Sequence, residues 1–165
     1  RELADGGARV TAAVRGMSGT IGTAHWRVLW PRADTPPGND ASVVVEVIGG
    51  GLPSGIYLGD LSAAGQQAMA GGAALRSGYA VVKVAHHGSA DQDPRLYERL
   101  APALALISVG ENDYGHPRQE TLDLLAALGV RTVRTDQDGL VVVWADAAGI
   151  HFWRERAPAA VAPGG

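Results

Sequence analysis

Apolar and polar positions in this chain fall into short blocks separated by glycine- and proline-rich turns. Residues 25–30 (HWRVLW), 42–50 (SVVVEVIGG), 79–85 (YAVVKVA) and 103–110 (ALALISVG) are β-branched or continuously apolar, the pattern of largely buried strands. Residues 130–135 (VRTVRT), 140–146 (LVVVWAD) and 150–155 (IHFWRE) close the chain as further strands. Near the start, 9–15 (RVTAAVR) predicts a strand and the Gly/Ser/Thr segment after it a turn. GLPSG at 51–55 predicts a turn before a brief strand at 56–58. Helices are expected over 61–69, with Asp60 as N-cap, and over 94–100, with Pro94 in its first turn. A third is expected over 118–128 (RQETLDLLAAL), where apolar residues recur at three and four and Gly129 ends the run.

Strands and helices interleave in the middle, while strands dominate both ends. That order predicts an α/β layered protein with a mixed sheet. A regular doubly wound sheet is not expected, because the last three strands follow one another without helices.

With 165 residues the chain suits one domain or a large piece of one. Its formal charge of −3 argues against a basic nucleic-acid surface, so phosphate contacts must be local or a metal must supply the charge. There is no cysteine, which excludes disulfides and thiolate metal sites. No apolar run reaches the length of a membrane span, and no signal peptide is visible. The chain opens on Arg1 and reads as an excerpt of a longer polypeptide. Residues 1–156 are expected to form one partial domain, and the Pro/Ala/Gly-rich segment 157–165 a disordered tail.

Polar residues recur at strand ends: Asp60, the His86–His87 pair and His116. Groups at one edge of a sheet converge even when distant in sequence, and carboxylate with imidazole is a ligand set that zinc, manganese and iron accept. Each has a plainer reading. Asp60 could only cap a helix, the histidines could only form a surface turn, and His116 before Pro117 could only start the next helix. His25 and His151 read as packed or edge residues of strands, and Trp26, Trp30, Trp144 and Trp153 as core mass.

The segments NDASVVVEV, YLGDLS, VVKVAHHGSADQ, ALALISVGENDYGHPRQETLDLL and VRTVRTDQDGLVVV follow one another in an informative order. Together they resemble the metallo-β-lactamase-like domain of the ComEC family of DNA-uptake competence proteins, from about Trp26 to Trp144. HHGS alone is shared more widely; its combination with SVGENDYGHP and TDQDG is specific. The resemblance implies an αββα sandwich with two divalent ions, zinc or manganese, along one edge. It assigns Asp60 as a bridging metal ligand and His87 as a second ligand. His86 and His116 would then contact the substrate phosphate or protonate the leaving oxygen. The family's first metal motif, of the form His-x-His-x-Asp-His, is absent, so the chain matches the C-terminal half to two-thirds of such a domain. The expected function is that of a metal-dependent phosphodiesterase or nuclease acting on DNA, with the fragment alone inactive. The expected partners are DNA and a membrane channel region of the same polypeptide, and the expected location is the extracytoplasmic face of the cell membrane. The alternatives are a small-phosphodiester hydrolase of the same fold and a catalytically degenerate docking domain.

Overall fold

The computed structural model describes residues 5–7 and 9–156. The expected tail at 157–165 lies outside these residues. The chain is a mixed α/β protein built on one sheet of seven strands in sequential order, with a separate two-stranded hairpin. β1 (Ser18–Ile21), β2 (Ala24–Trp30), β3 (Val44–Gly49) and β4 (Leu52–Tyr57) form an antiparallel meander. β4, β5 (Val81–Lys83), β6 (Leu104–Ile107) and β7 (Arg131–Arg134) run parallel. Parallel neighbours need crossovers, supplied by α1 (Ala63–Gly72), α2 (Pro94–Leu100) and α3 (Gln119–Ala127).

Each crossover steps to the next strand in the same direction. With a fixed crossover hand, successive helices then fall on the same face of the sheet. The core on that face joins Val44, Ile56, Val82, Ala105 and Ile107 of the strands to Leu61, Met69, Leu96, Leu100 and Leu125 of the helical layer. Fully burying one such side chain is worth about 1.5–3 kcal/mol. Side chains of alternate strand residues face the other way. Val81, Leu104 and Val133 pack there with Val141, Val143 and Phe152 of the hairpin β8 (Val141–Asp146) and β9 (Gly149–Arg154). The sheet is therefore covered by helices on one face and, over its parallel strands, by a hairpin on the other.

The sequence reading needs several corrections. Residues 9–15 form no strand, and Val10 is exposed; the first strand is instead β1, in the segment read as a turn. β1 pairs with β2, so this edge is set by a long-range partner rather than by local composition. The turn expected at 51–55 is already strand from Leu52, the reversal being made by glycines before it. A helical turn, Thr135–Asp138, does intervene between β7 and β8. Trp30 is buried and donates its indole N–H to Asp40 O at 2.6 Å, but Trp144 and Trp153 lie exposed on the hairpin. They occupy the outward positions of a two-sided ribbon, and alternation alone does not say which side is covered. His25 is exposed on β2, while His151 stacks on Trp144 and contacts Asp146 at 2.9 Å.

The TDQDG motif fastens the hairpin to the sheet. Asp138 accepts from Arg134 N at 2.8 Å and from Arg154 Nη1 at 3.0 Å, and Arg156 N donates to Asp138 O at 2.9 Å. Asp136 accepts from both the Nε and Nη2 of Arg134, at 3.1 and 2.6 Å.

Glu46, on β3, is 1% exposed on the helix-covered face. It accepts from the Arg27 guanidinium and the Tyr79 hydroxyl, with Arg76 Nε 3.6 Å away. Burial raises the Glu46 pKa, but the hydrogen bonds from Arg27 and Tyr79 outweigh it and the net shift is downward. Burial, then the bond to Glu46, pushes the Tyr79 hydroxyl up to about 12. A phenol whose folded pKa exceeds its unfolded value stabilises the fold at lower pH and loses that contribution as pH rises through the gap. Stability should therefore fall between the ordinary value of 10.0 and about 12. Tyr79→Phe should remove that alkaline step and cost about 1–3 kcal/mol near neutrality, because a buried carboxylate loses a donor. Ultraviolet tyrosinate titration combined with thermal melts checks both; a Tyr79 that titrates at its ordinary value contradicts the assignment.

Candidate active-site edge

The carboxyl ends of parallel strands are where open α/β sheets place their ligand sites, since each strand there hands over to a loop. Asp60 follows β4, His86 and His87 follow β5, His116 stands in the loop after β6, and Thr135 follows β7. All the residues singled out in the sequence thus emerge at one edge.

Asp60 does not cap α1. Ser62 does, its hydroxyl accepting from Gly65 N at 3.1 Å. Asp60 is held instead through its backbone, its N–H donating to Ser42 Oγ at 3.0 Å, and its side chain faces His87 and Lys83. The helix start lies two residues beyond the expected position because the chain first completes a turn, with Leu61 N donating to Leu58 O.

The two histidines do not alternate across an extended strand. Both take left-handed backbone conformations, with φ of 46° for His86 and 55° for His87, and Gly88 follows at 81°. This region costs a non-glycine residue about 1–2 kcal/mol, so the surroundings must enforce it. Gln92 does much of that. Its side-chain NH2 donates to Ala85 O at 3.1 Å and to Ser89 O at 2.9 Å, on either side of the histidines. The Gln92 Oε1 accepts from Tyr97 Oη at 2.6 Å and from Gln66 Nε2 at 3.2 Å. Thr121 Oγ1 donates to Ser89 O at 2.6 Å, His86 N to Gly59 O at 3.0 Å and Arg118 N to Gly88 O at 2.8 Å. A Cβ on Gly88 would stand 2.6 Å from Pro117 Cβ, so the loop carrying His116 closes directly onto the histidine turn.

This turn sends the rings to different neighbours. His87 Nε2 lies 3.7 Å from Asp60 Oδ1. His86 instead meets His116, with ring centroids 5.5 Å apart. His87 Nδ1 is 2.7 Å from Ser108 O. A carbonyl oxygen only accepts, so Nδ1 carries the proton, and a neutral ring presents a bare Nε2 lone pair to Asp60. Two acceptors then face each other, an arrangement that asks for a cation or an added proton between them. Lys83 supplies positive charge nearby: Nζ donates to Gly59 O at 3.1 Å and lies 3.9 Å from Asp60 Oδ1. Burial lowers the Lys83 pKa, opposed by Asp60.

Zinc and manganese accept an oxygen and a nitrogen donor of this kind, so Asp60 and His87 fit a metal ion as two ligands. Among the described residues, no group of three or more His, Asp or Glu side chains is gathered for a metal. His116 has a lowered pKa, chiefly from burial and then from the charges of His86, His87 and Arg118.

Sequence reasoning missed Lys83, Ser108 and the Gln66–Gln92–Tyr97 network. Lys83 had a signal, a lone charge inside an apolar strand. The glutamines had none, because a buried amide and an exposed one look alike in a sequence.

An acid-and-imidazole edge at the ends of parallel strands, backed by one helical layer, defines a mixed α/β protein with a strand-end site. No family model matches the chain. It is similar to ComE operon protein 3 of Bacillus subtilis (strain 168), with 37% identity over 120 residues, covering 71% of this chain and 15% of that protein.

Two measurements test the site's construction. Gln92→Leu should destabilise the protein by about 1–3 kcal/mol by leaving Ala85 O without its donor and the Tyr97 hydroxyl without its acceptor. The exposed Gln67→Leu should change stability by no more than about 0.5 kcal/mol; equal effects would refute the network's role. By NMR, His116 should titrate below the ordinary imidazole value of 6.5, and His86→Ala should raise its midpoint.

Proposed function

We propose that this chain is the metal-binding and phosphate-facing part of a phosphodiesterase that cuts DNA during competence DNA uptake, within a metallo-β-lactamase αββα sandwich. The single observation that carries the reading is the Asp60–His87 pair: a carboxylate oxygen and the imidazole Nε2 3.7 Å apart at the carboxyl ends of parallel strands. The helices on one face of the sheet and the hairpin on the other support the layered sandwich. Similarity to a ComE operon protein supports the competence setting and makes DNA a plausible substrate.

In this reading Asp60 and His87 hold divalent ions together with ligands from other parts of the complete protein. Such ions, when bound, lower the pKa of water and neutralise phosphate charge. The remaining chemistry belongs to this chain. Ser108 O keeps the His87 proton on Nδ1 and so keeps Nε2 available. His86 and His116 stand together, their ring centroids 5.5 Å apart, and contact the phosphate. His116, held neutral near pH 7 by its lowered pKa, retains one N–H to donate. The phosphate's negative charge raises that pKa, so the imidazolium, which can protonate the leaving oxygen and return to the neutral ring, is populated when substrate is bound. The protein acts at the extracytoplasmic face as a domain attached to a membrane channel. Among the described residues no helix is long and apolar enough to cross a membrane.

A second reading, a docking domain without catalysis, is favoured by one observation: the described residues gather no three-ligand metal cluster. Asp60→Asn separates the two. Because Ser62 rather than Asp60 caps α1, the variant should keep its Tm. In the complete protein, single-stranded DNA hydrolysis should fall by about two orders of magnitude or more, and zinc or manganese content, read by mass spectrometry, should drop with it. His87→Ala should behave alike, whereas His86→Ala and His116→Ala should lose turnover and keep metal. Full activity in Asp60→Asn would falsify the metal role of this edge.

A further inference from the structure

Tyr114 is 79% exposed, more than any other of the exposed large hydrophobic side chains among the described residues. It does not hang on a loose segment. The loop from Gly110 to His116 is closed on itself by Asn112. The Asn112 amide donates to Gly110 O and to His116 O, each at 2.9 Å, and its Oδ1 accepts from His116 N at 3.0 Å. Gly115, at φ 71°, turns the chain between the tyrosine and the histidine. The result is a phenol ring 6.0 Å from the His116 ring and tilted only 32° from its plane. Arg118 reaches back beneath this turn, its Nη1 lying 3.1 Å from where a Cβ on Gly115 would stand. Beyond His116 an open cleft is lined by Asn112, Thr135, Asp136 and Arg156.

Packing does not account for this ring, since it buries little against the protein. Its cost is low, because a tyrosine has few torsions to freeze and the loop is already fixed. A flat, exposed, oriented aromatic face beside a phosphate-facing histidine suits a flat, unpaired aromatic partner. In a single strand, every phosphate is attached through its sugar to such a partner, and bases stack on aromatic side chains whatever their identity. Arg118 lies against the tyrosine turn, and Arg156 lines the cleft together with the carboxylates of Glu111 and Asp136, so stacking rather than net positive charge is what this surface offers a nucleic-acid strand.

We propose that Tyr114 is a specificity-determining residue that stacks on the nucleobase adjoining the phosphate held at His116, so that the edge selects single-stranded nucleic acid over small phosphodiesters. This rests on the phosphodiesterase reading and names its substrate class. Tyr114 takes no part in bond breaking. Its contribution falls on substrate binding, and it is indifferent to which base is present.

The test uses the complete protein and two probes of about 10 nucleotides, within the span of a single-strand groove. One is an oligothymidylate and the other the same sugar–phosphate chain without bases. Equilibrium binding is read by fluorescence anisotropy, and circular dichroism confirms that the variants fold. Tyr114→Ala should weaken oligothymidylate binding about 5- to 150-fold, the range set by loss of one base–aromatic stack. Tyr114→Phe should bind like the wild type, and the baseless chain should bind wild type and Tyr114→Ala equally. The proposal is overturned if Tyr114→Ala binds oligothymidylate as the wild type does, or weakens both probes alike. It is overturned alone if the wild type binds both probes equally well, since phosphate binding then stands. A wild type that binds neither probe overturns both this proposal and the phosphodiesterase reading.

Discussion

The left-handed turn at His86–His87 is the constraint on which the site depends. An extended chain would place the two rings on opposite faces of the sheet. The turn keeps both at the strand ends, one toward Asp60 and one toward His116. The conformation is unfavourable by itself, and three elements hold it: Gln92 from the approach to α2, Thr121 from α3 and Gly59 from the loop after β4. Each of these lies on the helix-covered side or at the strand ends. The core that packs the helices against the sheet is thus also what fixes the histidines.

A buried amide network is suited to this task because it has direction. Gln92 has two donors and an acceptor with two lone pairs, and all are engaged: two carbonyls receive its N–H groups, while Tyr97 and Gln66 donate to its oxygen. Gln66 in turn accepts from Asp93 N at 3.0 Å, at the start of α2, and donates to Leu61 O at 2.9 Å, before α1. One chain of hydrogen bonds therefore fixes the starts of two helices and both sides of the histidine turn. An apolar residue of similar size would pack there but would leave Ala85 O and the Tyr97 hydroxyl without that partner.

The second polar centre, Glu46 with Arg27, Arg76 and Tyr79, does a different job. It lies within the antiparallel half of the sheet and joins β2 and β3 to the segment entering β5. The two centres divide the work: one registers the antiparallel half against the parallel half, and the other shapes the edge where the strands end. Lys83 adds a cation beneath Asp60, so the carboxylate meets positive charge from the protein itself.

The sequence by itself determined most of the elements from α2 onward. α2 stands at the expected residues because Asp93, which accepts from Arg95 N, and Pro94 are local start signals. α3 and the strands β7, β8 and β9 fall within a residue or two of expectation, because an apolar period and turn residues are local properties, and β6 ends three residues early. That Asp60, His86, His87 and His116 stand at strand ends was equally legible. Tertiary structure decided what depends on partners distant in the chain. β1 is a strand only because β2 lies beside it, and Ser62 caps α1 because the chain after β4 completes a turn first. Which histidine meets Asp60 was set by a backbone conformation that Gln92 enforces from a position the sequence does not mark as buried. Periodicity reports which side chains prefer water. It does not report which buried donor meets which buried carbonyl, and in this protein that pairing aims the site.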